Sequence, residues 1–327
     1  MKDIDILAIG DITTDCFIRL KDAEVNCDVD KENCKLCLRF GDKVPYESVE
    51  VVRAVGNSAN AAVSAARLGL QSALVANVGD DENGKECLEE LEKNKVITDY
   101  VRTETGKRTN YHYVLWYDVD RTILVKHEQF TYSLENVVAP KWIYLSSLGD
   151  SSLEFHNQIA EYLQKNPETK LAFQPGTFQI KLGADALKKL YERTEIFICN
   201  IEESQLVLNE KSRDLPILLK GIVSLGPKIA VITDSINGAY AYDGSDFWFM
   251  PVYPHTPFER TGAGDAYAST IVSCLAMDKT LEETLKWAGI NSMSVTQYVG
   301  AQKGLLSQEK IEEYLAKAPE SYEPKKI

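Results

Sequence analysis

Residues 261–272 read Thr261-Gly262-Ala263-Gly264-Asp265-Ala266-Tyr267-Ala268-Ser269-Thr270-Ile271-Val272, a two-glycine loop running straight into an apolar helix. Glycine permits sharp turns and a close approach of backbone to a ligand. The first N–H groups of a helix have no intrahelical partner and sit at the positive end of a dipole worth roughly half an elementary charge. The junction at Gly262, Ala263 and Gly264 therefore predicts an anion site. Asp265, at the head of the helix, has two readings: an N-cap or first-turn residue, or a base beside the anion site.

Outward from this junction, strand-like apolar runs alternate with helix-like segments. Strands are expected at Ile4–Ile9, Ser72–Val78, Trp142–Ser146, Lys170–Phe173, Ile196–Asn200 and Ile229–Thr233. Helices are expected at Ser58–Leu68, closed by Gly69, and near 83–95, 154–165, 264–276 and 281–298. Such alternation predicts an α/β protein whose central, mainly parallel sheet is covered by helices on both faces. Residues 14–53 and 100–130 break the pattern, carrying short strand candidates at Cys16–Leu20, Cys37–Phe40, Val49–Val52, Tyr111–Tyr117 and Thr122–His127. Both stretches leave and re-enter the α/β body. They are expected to form one small β-sheet lid (14–53 and 100–130) over a main domain of residues 1–13, 54–99 and 131–327.

The formal net charge of −13 gives long-range repulsion from nucleic acid and anionic membrane, so neither is expected as a partner. An anionic ligand needs a local site of backbone N–H groups, a few cations and a metal. The early acidic residues Asp3 and Asp5 and the short apolar run after them read as a first strand and not a signal peptide. Seven cysteines, an odd number, suggest no disulfide framework and point to reduced thiols in the cytoplasm.

Four motifs in order, Val55-Gly56-Asn57-Ser58-Ala59-Asn60 running on to Ala65-Ala66-Arg67-Leu68-Gly69, Asn200-Ile201-Glu202-Glu203, Thr233-Asp234-Ser235-Ile236-Asn237-Gly238, and Thr261–Asp265, give the chain its resemblance. It resembles the ribokinase-like (PfkB) carbohydrate kinases, from the first strand to about Gly304. The resemblance implies a ribokinase-like three-layer α/β sandwich with a small β-lid. It also implies transfer of the ATP γ-phosphoryl group to a hydroxyl of a ribose- or fructose-like sugar. Asp265 would be the general base, with the N–H groups of Gly262, Ala263 and Gly264 as the anion hole. Asn200 and Glu203 would organise Mg²⁺ through water, though the same pair reads equally as a helix capping box. Thr233 and Gly238 would contact the nucleotide, in a loop where Ser235 replaces the family's first glycine and tolerates a positive φ poorly.

Asn291 matches a position near the adenine, or is a polar residue inside a helix. Asp15, Gly56, Asn57 and Asn60 match sugar-hydroxyl contacts, with Asp11 as a further candidate. Val55 stands where many members have glycine. Glu259 occupies the place of an Asp associated with a monovalent-cation site, which makes K⁺ a candidate cofactor. A homodimer through the lids is implied, as is lid closure that excludes water. A nucleoside kinase of the same family is the alternative, its base held by Tyr113, Trp116 and Tyr117. A non-catalytic ligand-binding regulator on the same scaffold is a third reading, opposed by the intact Asp265, Gly262 and Gly264.

Cys27, Cys34 and Cys37 have a Cys-x6-Cys-x2-Cys spacing. The final pair suits structural zinc, with a fourth ligand from Cys16, His112 or His127; buried, reduced lid thiols are the other reading.

Overall fold

The computed structural model describes residues 3–27 and 34–327; the parts of the expected main domain and lid at residues 1–2 and 28–33 lie outside the described residues. Along the chain, β1 (Ile6–Ile9) is followed by β2 (Thr13–Leu20), β3 (Glu24–Asn26), β4 (Lys35–Cys37) and β5 (Tyr46–Val55). Then come α1 (Asn57–Arg67), β6 (Ser72–Gly79), α2 (Glu82–Lys93), β7 (Val101–Glu104), β8 (Asn110–Tyr117) and β9 (Asp120–Leu124). The middle of the chain forms β10 (Trp142–Leu145), α3 (Leu153–Lys165), β11 (Lys170–Phe173), α4 (Thr177–Leu182), α5 (Lys188–Tyr191), β12 (Thr194–Asn200) and α6 (Ile201–Leu208). The last part holds α7 (Leu215–Ser224), β13 (Ile229–Thr233), β14 (Ala239–Tyr242), β15 (Phe247–Met250), α8 (Ala263–Ala276), α9 (Leu281–Val295), α10 (Gln308–Leu315) and β16 (Lys325–Lys326).

The main sheet has the order β16-β15-β14-β13-β12-β11-β10-β1-β6-β7. Its strands run parallel from β7 to β13, and β14, β15 and β16 add an antiparallel edge. Successive strand side chains point to opposite faces, and β1 shows the result. Ile6 and Ala8 join one buried cluster with residues of α1, α8 and α9. Leu7 and Ile9 join another with residues of α3, α5 and α7. These two apolar layers make the sandwich.

The lid is a second sheet of order β5-β2-β8-β9. Here the structure shifts the expected boundaries. Residues 101–104 form β7 at the edge of the main sheet, pairing with β6, so the second lid segment starts with β8 and not at residue 100. Parallel pairing sets Asp15 beside His112 and Phe17 beside Val114. Phe17, Val114 and Trp116 pack with Val299 of the main domain. On the opposite face, Val49, Val51, Tyr113 and Leu124 are exposed.

The zinc expectation is corrected. Strands β3 and β4 pair Glu24 with Cys37 and Asn26 with Lys35, and this antiparallel register carries Cys27 opposite Cys34. The two are joined in a disulfide, so two of the three candidate thiolates are engaged with each other and not all the lid thiols are reduced. Cys37 accepts a hydrogen bond from Asn26 Nδ2 at 3.4 Å. Among the described residues no group of three His, Cys, Asp or Glu side chains could hold a metal ion. Also among the described residues, no helix is long and apolar enough to cross a membrane.

Candidate active site

In an open parallel sheet the loops beyond the carboxyl ends of the strands converge on one side. Asp11 follows β1, Ser147 follows β10, Gln174 follows β11, Asn200 ends β12 and Thr233 ends β13. All five line one cleft of about 1180 Å³, which the lid closes from above through Asp15, His112, Arg121, Ile123 and Val125.

The 261–265 junction lies on this cleft. Gly262 is the N-cap of α8 in the left-handed region, with φ of 81° and no side-chain cap. A Cβ there would stand 2.2 Å from Ala301 Cβ, so glycine is required twice over, by conformation and by space. At Gly264 a Cβ would meet nothing within 4 Å; its missing side chain leaves room at the helix end. Ala263 N donates to Arg260 O at 3.3 Å, whereas the N–H groups of Gly262, Gly264 and Asp265 have no acceptor among the described residues. These open donors at the positive helix end, next to an empty space in the cleft, fit an anionic group.

Asp265 stands just behind them, partly buried. Its Oδ1 accepts from Asn57 Nδ2 at 2.8 Å and from Gln174 Nε2 at 3.3 Å; its Oδ2 accepts from Asn60 Nδ2 at 2.8 Å. Asn57 and Asn60 lie in the first turn of α1, whose N-cap Gly56 has φ of 106° and would drive a Cβ to 2.6 Å from Asp11 O. The donors are themselves held. Gln302 Nε2 donates to Asn60 Oδ1 at 3.0 Å and Tyr144 donates to Gln174 Oε1. Loss of water around the Asp265 carboxyl pushes its pKa up, and the three amide donors pull it down without cancelling that cost.

On one side of Asp265 lie the expected acceptor contacts. Asp11 is nearly buried; its Oδ1 accepts from Tyr132 OH at 2.8 Å and its Oδ2 lies 3.1 Å from His127 Nδ1. Asp15 is also nearly buried, with Oδ1 3.4 Å from His112 Nδ1 and no hydrogen-bond partner. A buried carboxylate oxygen without a donor is costly, and a polyol hydroxyl is a group that satisfies it. The aromatic residues suggested for a nucleobase are not in the cleft. Trp116 packs edge-on against Phe258 beneath the lid, and Tyr113 is on the lid's outer face against Tyr111.

On the other side are Asn200, Glu203, Thr233 and Gly238. Both readings of Asn200 and Glu203 meet here. Asn200 Oδ1 accepts from Glu203 N at 2.7 Å and Glu203 Oε2 accepts from Asn200 N at 2.9 Å, a capping box at the start of α6 whose carboxylate also reaches the cleft. Burial raises the Glu203 pKa, and the negative charge of Asp265 adds to the rise. Two carboxylates facing a common space with no ion pair to either among the described residues fit a hard cation held partly by waters and phosphates, as Mg²⁺ is when it lacks an all-protein cage. In the loop after β13, Gly238 has φ of 99° and Ser235 has φ of 49°. The serine thus accepts the left-handed backbone that the sequence made unfavourable for it.

Two expected site residues point elsewhere. Asn291 is fully buried between α8 and α9, where Nδ2 donates to Thr270 Oγ1 at 2.8 Å and Oδ1 accepts from Leu306 N at 2.9 Å. Its neighbour Ser292 faces the cleft instead. Glu259 is fully buried; Oε1 accepts from Thr261 N and Thr261 Oγ1 at 2.8 and 2.6 Å, and Oε2 accepts from Gly300 N at 3.3 Å. It clamps the loop before α8. Gln174, Ser147 and Arg121 line the cleft with no prediction from the sequence, and His112 and His127, read from the sequence only as zinc ligands, stand beside Asp15 and Asp11. The first two carried one usable signal, their place just past a predicted strand.

The sequence pattern of the pfkB family carbohydrate kinases matches residues 22–308. The ribokinase of Bacillus subtilis is 26% identical over 271 residues, covering 80% of this chain and 87% of that protein. Two solved structures share the fold. Arabidopsis thaliana ribokinase complexed with ribose and ATP has a TM-score of 0.77 at 17% identity, covering 96% of this chain and 99% of that one. The nucleoside kinase of Methanocaldococcus jannaschii has 0.75 at 15%, covering 97% and 100%. The chain belongs to the pfkB family of carbohydrate kinases, phosphotransferases that act on a hydroxyl group.

Proposed function

We propose that this protein transfers the γ-phosphoryl group of ATP to a hydroxyl of a ribose- or fructose-like sugar, with Asp265 as general base. One observation carries the reading. The Asp265 carboxylate is fixed by three amides immediately behind a helix N-terminus with open N–H groups, between the hydroxyl-seeking Asp11 and Asp15 and the nucleotide side of the cleft.

Asp11 and Asp15 orient the sugar by accepting from its hydroxyls. Asp265 then takes the proton of the reacting hydroxyl as its oxygen bonds to phosphorus; the raised pKa makes it a stronger base than an ordinary carboxylate. The N–H groups of Gly262, Gly264 and Asp265 hold the oxygens of the transferring group in place. Thr233 and the Ser235–Gly238 turn seat the nucleotide. Asn200 and Glu203 would hold Mg²⁺ through its waters, and when bound it neutralises phosphate charge. The lid excludes water. Its exposed outer face, with Val49, Val51, Tyr113 and Leu124, is covered by a second copy in a homodimer.

The test is ATP-dependent ADP release against a panel of sugars and nucleosides. Turnover with one pentose or ketohexose supports the reading. Turnover confined to nucleosides would replace the acceptor, and binding of ATP with no turnover on any acceptor would defeat it.

A further inference from the structure

Asp15 on β2 and His112 on β8 are paired across one ladder of the lid sheet. Alternate side chains of a strand share a face, so His112 stands with Val114 and Trp116, on the face that packs against Val299 of the main domain. His112 and Asp15 both line the cleft. Their side chains are 12% and 11% exposed, and Nδ1 lies 3.4 Å from Oδ1 with no hydrogen bond between them. His112 Nε2 is likewise buried without a hydrogen-bond partner. Two unmade bonds thus lie side by side on the cleft wall, at atoms closed to solvent, where each is costly.

The neighbouring dyad is complete. Asp11 Oδ1 accepts from Tyr132 OH at 2.8 Å, and Oδ2 lies at hydrogen-bond distance, 3.1 Å, from His127 Nδ1. The His127 ring packs edge-on against Phe178 of α4 at 5.6 Å and lies 5.3 Å from the His112 ring, so it braces the second imidazole from one side. The same two residue types therefore occur twice, once with partners inside the protein and once without. They make no metal site, since among the described residues no group of three His, Cys, Asp or Glu side chains could hold one. A carboxylate only accepts, whereas an imidazole nitrogen donates or accepts with its protonation. A single cation would answer Asp15 alone and a single anion His112 alone. Two adjacent hydroxyls, each both donor and acceptor, answer both.

We propose that His112 is a specificity-determining residue for the acceptor: its Nε2 takes one hydroxyl of the sugar while Asp15 Oδ1 accepts from the hydroxyl on the next carbon. This rests on the reading of the cleft as the site of a sugar-accepting phosphotransferase, and it narrows the acceptor to a polyol with a vicinal pair of hydroxyls clear of the reacting one. His127 is the positioning residue behind it, holding the imidazole plane through ring contact. Both vacant atoms belong to the lid, which parts from the floor to admit the acceptor and closes over it. An acceptor without the vicinal pair leaves the two atoms unpaired under the closed lid. Selectivity then comes from bonds left unmade against the wrong sugar as much as from bonds made to the right one.

The experiment compares wild type with His112→Phe and His112→Gln on ribose, fructose and their mono-deoxy analogues, by steady-state kinetics and by calorimetric binding of the same sugars and of ATP. Phenylalanine keeps a ring against His127 and removes both nitrogens; glutamine returns an amide near the place of Nε2. With the sugar the wild type turns over, His112→Phe should raise the acceptor KM at least about tenfold, with kcat and ATP affinity within a few-fold. His112→Gln should recover part of that loss. One deoxy analogue should lose at least about tenfold in kcat/KM on the wild type and carry no such penalty on His112→Phe, the coupling expected of groups in direct contact. Should the phenyl variant fail to fold in a thermal melt, His112→Asn, whose amide stands near Nδ1 and leaves the Nε2 place empty, carries the same comparison. Equal deoxy penalties in wild type and variant would overturn the proposal, as would an unchanged acceptor KM. A fall in kcat at unchanged KM would assign His112 to the chemical step and overturn it too. Sugar binding without turnover would remove the phosphotransferase reading, and the deoxy comparison in calorimetry would still uphold or overturn the His112 contact. No binding of either sugar to the wild type would overturn both.

Discussion

Asp265→Asn separates chemistry from architecture, and the geometry sets both magnitudes. The carboxylate accepts two amides on Oδ1 and one on Oδ2. An asparagine keeps one acceptor, so its oxygen takes the Asn57–Gln174 side and its nitrogen meets Asn60 Nδ2. Asn60 cannot flip to answer it without abandoning Gln302 at 3.0 Å. That donor–donor mismatch costs about 1–3 kcal/mol. The opposing effect comes from charge. The folded-state pKa of Asp265 is raised, so its contribution to stability is fully present below the unfolded pKa and is lost as pH rises through the folded one. At neutral pH the neutral amide escapes that loss. The two effects offset, leaving a melting shift of a few degrees, while loss of the base lowers kcat about 10²–10⁴-fold. Coupled ADP-release kinetics and a thermal melt of the same preparation read both. Activity within tenfold of wild type would refute Asp265 as base. Lost activity with a collapsed melt would show that the carboxylate holds the fold.

Other outcomes follow from the same geometry. Gly264→Ala has space for its methyl, so the melt should hold while turnover falls by at least tenfold as the methyl enters the phosphoryl cradle; full activity would move the anion site elsewhere. Gly262→Ala collides with Ala301 and strains a φ of 81°, so it should lower stability by at least about 1–3 kcal/mol in denaturant melts as well as abolish activity. Asn60→Ala removes a donor that lowers the Asp265 pKa, so the acid limb of the kcat–pH profile should move to higher pH; movement to lower pH would contradict the assigned network. Leu124→Arg, on the exposed lid face, should convert a dimer into a monomer in light scattering, and an unchanged mass would place any interface elsewhere.

The parallel sheet, α1, α8 and α9 were legible in the sequence because each carries its instruction locally, in periodic apolar runs and in glycines with one purpose. The antiparallel edge β14–β15–β16 was not. Its strands are two to four residues long and no crossover helix announces them. The lid's second boundary was misplaced for a similar reason. The four-residue strand β7 has the same extended signal whether it pairs with the main sheet or with the lid, and only its partner β6 decides.

Asp265 and the glycines of the α8 entry could be named from the sequence as a short motif with a physical purpose, and Asn57, Asn60 and Asn200 through the resemblance to the pfkB kinases. What joins them could not. Asp265 meets Asn57, Asn60 and Gln174 across separations of 208, 205 and 91 residues, and no local pattern records such a meeting. The fate of Cys27 and Cys34 turned on ribbon register, which carried them opposite each other. The orientation of Asn291 turned on which face of α9 packs against α8. By itself the sequence determined the α/β alternation and the two-glycine entry to α8, because backbone propensity and side-chain periodicity act over a few residues. The tertiary structure alone decided which amides hold Asp265 and which cysteines pair, because those are contacts whose packing selects one partner among several of the same chemistry.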